Sequence, residues 1–147
     1  MLFIRRKEKN LSRVINPNTP GKDRNRFKKG IALALRELSK SRETDARTKD
    51  LVAFIVLALD EIEATIDVTT TAWEKRNYWI KADRFRREWE WAGRLAKELK
   101  PLVLSQEWDE IAAFTPKLFR YVGDIKISER HRMGQPWLGA WEELNKN

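Results

Sequence analysis

Residues 45–99 read DARTKDLVAFIVLALDEIEATIDVTTTAWEKRNYWIKADRFRREWEWAGRLAKEL, and the way this stretch folds decides the architecture. No glycine or proline interrupts the chain from Ile31 to Ala92. Hairpin sheets need turn residues at short intervals, so the stretch reads as helix. At ~100° per residue, Leu51, Ile55, Ala58, Leu59, Ile62 and Ile66 share one sector of the helix. The β-branched run Val68-Thr69-Thr70-Thr71 offers a break with a fresh cap. The phase nevertheless continues beyond it, because Trp73, Ile80, Trp91 and Leu95 fall in the same sector. An independent loop has no reason to preserve that register. The expectation is one central helix over about 45–99, ~80 Å long at ~1.5 Å per residue. A hinge at 69–71, giving two antiparallel helices, is the alternative.

The C-terminal half of this stretch carries a second apolar row. Tyr78, Ala82, Phe85, Trp89, Ala92, Ala96 and Leu99 alternate steps of four and three, a heptad spacing. Two rows on one helix imply two partners, either two neighbours in the chain or one neighbour and a second subunit. Working outward, Asn16-Pro17-Asn18-Thr19-Pro20-Gly21 reads as a turn or coil. Asp23 is the expected cap of a first helix to about Lys40, with Phe27, Ile31, Ala34, Leu35 and Leu38 as its buried stripe. Thr44 or Asp45 caps the next helix. Pro101 stops the long one, and Ser105 opens another whose stripe is Trp108, Ile111, Ala112, Leu118, Phe119 and Val122. Pro116 should kink or restart that helix, and Gly123 should end it. Residues 124–128 read as extended. A last short helix from Pro136 buries Trp137, Leu138, Trp141 and Leu144. The fold class is therefore all-α, a four- to five-helix bundle built on one long helix. Residues 1–21 form a basic arm, and residues 22–147 form a single bundle domain.

Composition narrows the function classes. The chain has 147 residues, enough for one domain with a real core, and its 35% charged residues exceed the usual ~25%. Cysteine is absent, which excludes a disulfide framework, a zinc knuckle and a thiol nucleophile. The apolar run Met1-Leu2-Phe3-Ile4 is too short for a signal peptide, and Leu51 to Leu59 is too short to span a membrane. A cytoplasmic protein without a membrane span is the expectation. The net charge of +8 is uneven: residues 1–42 hold 13 Lys or Arg against three acids, a net of +10.

Four constellations carry chemistry. In the aromatic-basic segment, Lys75, Arg76, Arg86, Arg87, Arg94 and Lys97 project onto one face with Trp79. Asp83 and Glu90 lie on that face at pairing distance, so it reads first as a salt-bridged solvated surface. Trp79, with Arg86 and Arg94 beside it, is the ring left without a packing role and the best single candidate for a partner contact. The second constellation is the acidic row Asp60, Glu63 and Asp67. Its spacing suits a hard cation such as Mg²⁺, but the paired acid motifs expected on two helices are not present. The bland reading, that these acids face the basic first helix, is preferred. Third, His131 is the only histidine and lies in a polar connection, so neither a His-based metal pair nor a triad is supported. No phosphate-binding glycine loop occurs. Fourth, the arm residues Arg5, Arg6, Lys7, Lys9 and Arg13, continued by Arg24, Lys28 and Lys29, form an electrostatic clamp for nucleic acid or a solubilising tail.

The leading expectation is a non-enzymatic binding or scaffolding bundle with no cofactor and no metal. It would meet protein partners through tryptophan-rich faces and self-associate, as a dimer, through a seam of Trp73, Ile80 and Trp91. The alternative is a nucleic-acid-associated accessory protein using the basic arm and first helix. A Mg²⁺-dependent phosphohydrolase comes third.

Overall fold

The structure, a computed structural model, describes residues 19–146. The arm cations Arg5, Arg6, Lys7, Lys9 and Arg13 thus lie outside the described residues. Five helices and no strand occur among those described: α1 (Pro20–Lys40), α2 (Ala46–Lys75), α3 (Trp79–Leu104), α4 (Trp108–Val122) and α5 (Ala140–Lys146). The all-α bundle expected from the sequence is the observed class.

α2 is the hub. Its N-terminus is fixed by Asp45, whose carboxylate accepts the Thr48 N–H at 3.0 Å. All nine residues from Leu51 to Leu59 are buried, so this part of the helix is apolar on every side. Such a helix needs neighbours all round it, and α1, α3 and α5 supply them. Each fully buried Leu, Ile, Val or Phe side chain contributes roughly 1.5–3 kcal/mol relative to exposure. α1 lays Phe27, Ile31, Ala34 and Leu35 on α2 as expected, but Leu33 and Gly30 are buried as well. Gly30 is where Phe54 comes closest: a Cβ at Gly30 would lie 2.9 Å from the Phe54 ring. Asp23 is not the cap of α1. The helix begins one turn earlier with Pro20 in its first turn, and Asp23 instead pairs with Arg26 at 3.2 Å.

The long helix over 45–99 is not continuous, and its break is not at 69–71. Thr70 is buried inside α2 with its hydroxyl donating to the Ile66 carbonyl, so the threonine run stays helical. The chain reverses at 76–78. Asn77 adopts φ 65°, the left-handed region. The Tyr78 N–H donates to the Trp73 carbonyl at 2.9 Å and the Asn77 N–H to the Glu74 carbonyl at 3.0 Å. These two bonds are the Schellman ending of a helix, with asparagine in the place usually held by glycine. α3 ends in the same way: Gln106 has φ 53°, the Glu107 N–H donates to the Leu102 carbonyl, and the Gln106 N–H donates to that of Val103. Pro101 therefore sits within α3 and does not stop it. Pro116 likewise lies inside an uninterrupted α4, which opens at Trp108 with Glu107 at its cap position and not at Ser105.

α4 packs on α3 and α1. The segment after it is free of regular structure, and its Ile125 and Ile127 rest on the core. α5 begins four residues later than Pro136. Trp137 and Leu144 are buried, whereas Leu138 is exposed and not part of the core. Asp50 of α2 anchors α5. Its carboxylate accepts the Gly139 N–H at 3.2 Å and the Trp141 N–H at 3.0 Å, satisfying donors that a helix start leaves unpaired.

Candidate interaction surface

The aromatic-basic segment separates into two parts with different fates. Along α3, the rings form a ladder. Trp73 meets Phe85 edge-on at 5.0 Å, Phe85 lies 6.2 Å from Trp89, and Trp89 lies 5.7 Å from Trp91. Trp91 then stacks on Tyr121 of α4 at 4.3 Å with planes only 3° apart. The cations of α1 close over this ladder. The Arg24 guanidinium lies 4.8 Å from the Phe85 centroid and 5.3 Å from that of Trp89, and the Lys28 ammonium is 5.3 Å from Trp89. Arg24 also donates to the Thr65 hydroxyl at 3.3 Å, and its burial pushes the guanidinium pKa down. Aromatics mixed with cations here build an internal clamp between α1, α2 and α3. Two of the predicted nucleic-acid contacts, Arg24 and Lys28, are engaged in that clamp, while Lys29 is exposed.

The polar face of α3 is salt-bridged as expected. Arg86 binds Glu74 across the α2–α3 turn at 2.7 Å, with Asp83 at 3.4 Å. The hydrogen bond from Arg86 holds the Glu74 carboxyl below its usual range, and the pair raises the arginine. Arg94 is held by Glu90 at 3.2 Å, by Glu98 at 3.7 Å and by the Tyr121 hydroxyl at 3.4 Å. Arg86 lies about two turns along the helix from Trp79, and Arg94 farther still. Fifteen residues of helix put Arg94 about 22 Å along the axis from it.

The predicted dimer seam is divided. Trp91 is 7% exposed beneath Tyr121, and Trp73 is half-buried against Phe85. Ile80 is exposed at the start of α3, eleven residues or ~16 Å along the helix from Trp91, while the turn at 76–78 puts Trp73 on α2. The acidic row departs from expectation too. The Glu63 carboxylate lies against Gly93 of α3, and Asp67 contributes to the field at Arg86, also on α3. Among the described residues, Asp60, Glu63 and Asp67 do not gather into a group of three that could hold a metal ion. His131 stays in its loop, with its Nδ1 accepting the Met133 N–H at 3.1 Å.

What remains is the turn itself. Tyr78, Trp79 and Ile80 are 50%, 56% and 74% exposed, three successive large apolar side chains at the tip of the α2–α3 hairpin. Leu104, Phe119 and Leu138 are also exposed but lie on separate elements, the ordinary scatter of a protein surface. With about 200 Å² per side chain, the tip triad presents roughly 300–400 Å² of contiguous apolar surface, a patch of functional size. It lines a shallow concavity shared with Asn77, Lys81 and Arg84. Lys75, Arg76, Lys81 and Arg84 surround it, all exposed and none in an ion pair among the described residues. Lys81 also lies 4.3 Å over the Trp73 ring. Sequence reasoning found Trp79 but assigned Tyr78 and Ile80 to packing rows. The missed signal was Lys75-Arg76-Asn77, cations in a last helical turn followed by a residue tolerant of positive φ.

No helix is long and apolar enough to cross a membrane among the described residues. Compared with known proteins, the chain matches no family model, no curated relative and no solved structure. The functional reading therefore stands on the site's own chemistry.

Proposed function

We propose that this protein is a non-enzymatic helical-bundle binding module whose contact surface is the α2–α3 tip. The observation that carries this reading is the exposure of Tyr78, Trp79 and Ile80 in succession. Folding has no use for three large apolar residues in water, whereas a binding surface needs rigid rings on a fixed backbone. The paired capping bonds of the turn hold them in place. Coverage of Trp73 and Trp91 within the chain argues for docking by the tip over self-association along the helix faces. The engagement of Arg24 and Lys28 over aromatic rings weighs against the nucleic-acid clamp.

The test is photo-cross-linking in cells expressing the full chain, with a photoreactive residue at position 79 and, as a control, at the exposed Lys97. Adducts are expected from position 79 and few from position 97. Equal yields at the two positions, or none at 79, contradict the reading.

A further inference from the structure

The tip combines apolar rings, an aliphatic side chain and an excess of cations, and that combination narrows what it can meet. Between Lys75 and Arg84 there are four cations and one acid, Asp83, which faces Arg86. The local charge is thus +3, so two copies of the tip would repel each other. A stacking platform for bases is also a poor fit. Ile80 is the most exposed of the three and offers no ring face. Trp79 and Ile80, successive helical residues, diverge by ~100° around the axis.

A fluid interface asks for none of these things. A bilayer surface accepts side chains that diverge, needs no shape-matched pocket, and rewards a small apolar wedge flanked by cations. Trp and Tyr favour the headgroup depth because each has an apolar body and a polar tip. We propose that the partner of the tip is the anionic surface of a lipid bilayer. Tyr78, Trp79 and Ile80 enter the headgroup region while Lys75, Arg76 and Arg84 lie against lipid phosphates, with Lys81 held over the Trp73 ring and adding to the local field. This rests on the tip being the contact surface. The bundle stays outside the bilayer, docked by one end.

The experiment is vesicle co-sedimentation of the full chain. It compares phosphatidylcholine vesicles with vesicles of phosphatidylcholine mixed with phosphatidylglycerol. At ~1 kcal/mol per cation near an anionic surface, the local charge of +3 predicts on the order of 100-fold tighter partition to the anionic vesicles, weakening with added salt. Residues 1–18 hold five further cations, so the decisive protein is the variant Tyr78→Ser, Trp79→Ser, Ile80→Ser. Its side chains are solvent-facing, and its fold is checked by an unchanged helical circular-dichroism signal. Expected is a loss of at least tenfold in anionic partition with the charge untouched. Full retention by this variant overturns the proposal, as does equal partition to neutral and anionic vesicles or no partition at all. Protein adducts from position 79 together with absence of vesicle binding would sink the lipid assignment while leaving the contact surface intact.

Discussion

Gly30 illustrates how a single residue is set by a partner on another helix. In an exposed helix, replacing glycine by alanine stabilises by about 1 kcal/mol. Here the buried Phe54 ring, which lines a cavity together with Gly30, occupies the space a Cβ needs. Gly30→Ala is therefore expected to destabilise by about 1–3 kcal/mol, as overpacked cores do, measured by urea unfolding. A neutral or stabilising result would mean that the ring can move aside. Trp91 separates two readings of the same residue. Buried under Tyr121, it predicts that Trp91→Ala costs about 3–5 kcal/mol, with no change in the mass seen by light scattering. A seam residue would do the reverse. Periodicity placed both Trp73 and Trp91 on an apolar face, which was right. It could not say whether that face was covered from within the chain, because coverage depends on α4 and on the cations of α1.

At the scale of elements, the turn at 76–78 decides the molecule. The unbroken apolar phase from Leu51 to Leu95 suggested one helix, yet two antiparallel helices burying against one another satisfy the same phase. Capping chemistry outweighed periodicity here. Asn77 tolerates φ 65°, and a left-handed L-residue with a Cβ costs roughly 1–2 kcal/mol. Asn77→Gly should leave stability unchanged or raise it, and Asn77→Val should lower it by about that amount, read as a shift in thermal midpoint. The opposite order would contradict the turn. Asp50 makes a second prediction. Asp50→Ala removes two bonds to the start of α5 and should raise amide exchange across 137–146 while leaving α1 to α3 protected.

The ion pairs and caps also set the response to acid. Asp45 is held low by the Thr48 backbone N–H and hydroxyl, and Glu74 by its hydrogen bond from Arg86. Partial burial pushes Glu37 up, but Arg47 and Lys40 bring it below its usual value. A carboxyl depressed in the folded state stabilises above its unfolded pKa, and that stability is lost as pH falls through the folded pKa. Thermal midpoints should be level near neutrality and fall below about pH 4, where carboxylates protonate. The variant Asp45→Asn, Glu74→Gln should show a shallower fall. A parallel curve for wild type and variant would show that other groups carry the acid sensitivity.

The described residues form an α2-centred bundle in which Arg24 and Lys28 lie over aromatic rings while Lys75, Arg76 and Arg84 are exposed around the tip. Helix class and most of the α1 stripe were legible in the sequence, because one-sided burial leaves a direct pattern, whereas the burial of Leu51 to Leu59 on every side exceeds the single sector that periodicity assigned. The candidate site was legible only at Trp79. Tyr78 and Ile80 matched helical rows, and only the reversal at Asn77 turns those rows into a protruding tip. With Trp91 buried and Trp73 half-buried, the tip is the one place among the described residues where three exposed large apolar side chains follow one another in the chain. Hydroxyl-radical footprinting of the full chain, read ring by ring by mass spectrometry, tests that claim most directly. The account predicts rapid oxidation of Tyr78 and Trp79 and slow oxidation of Trp91 and Trp137. A Trp79 as protected as Trp91, or a Trp91 as reactive as Trp79, would contradict it.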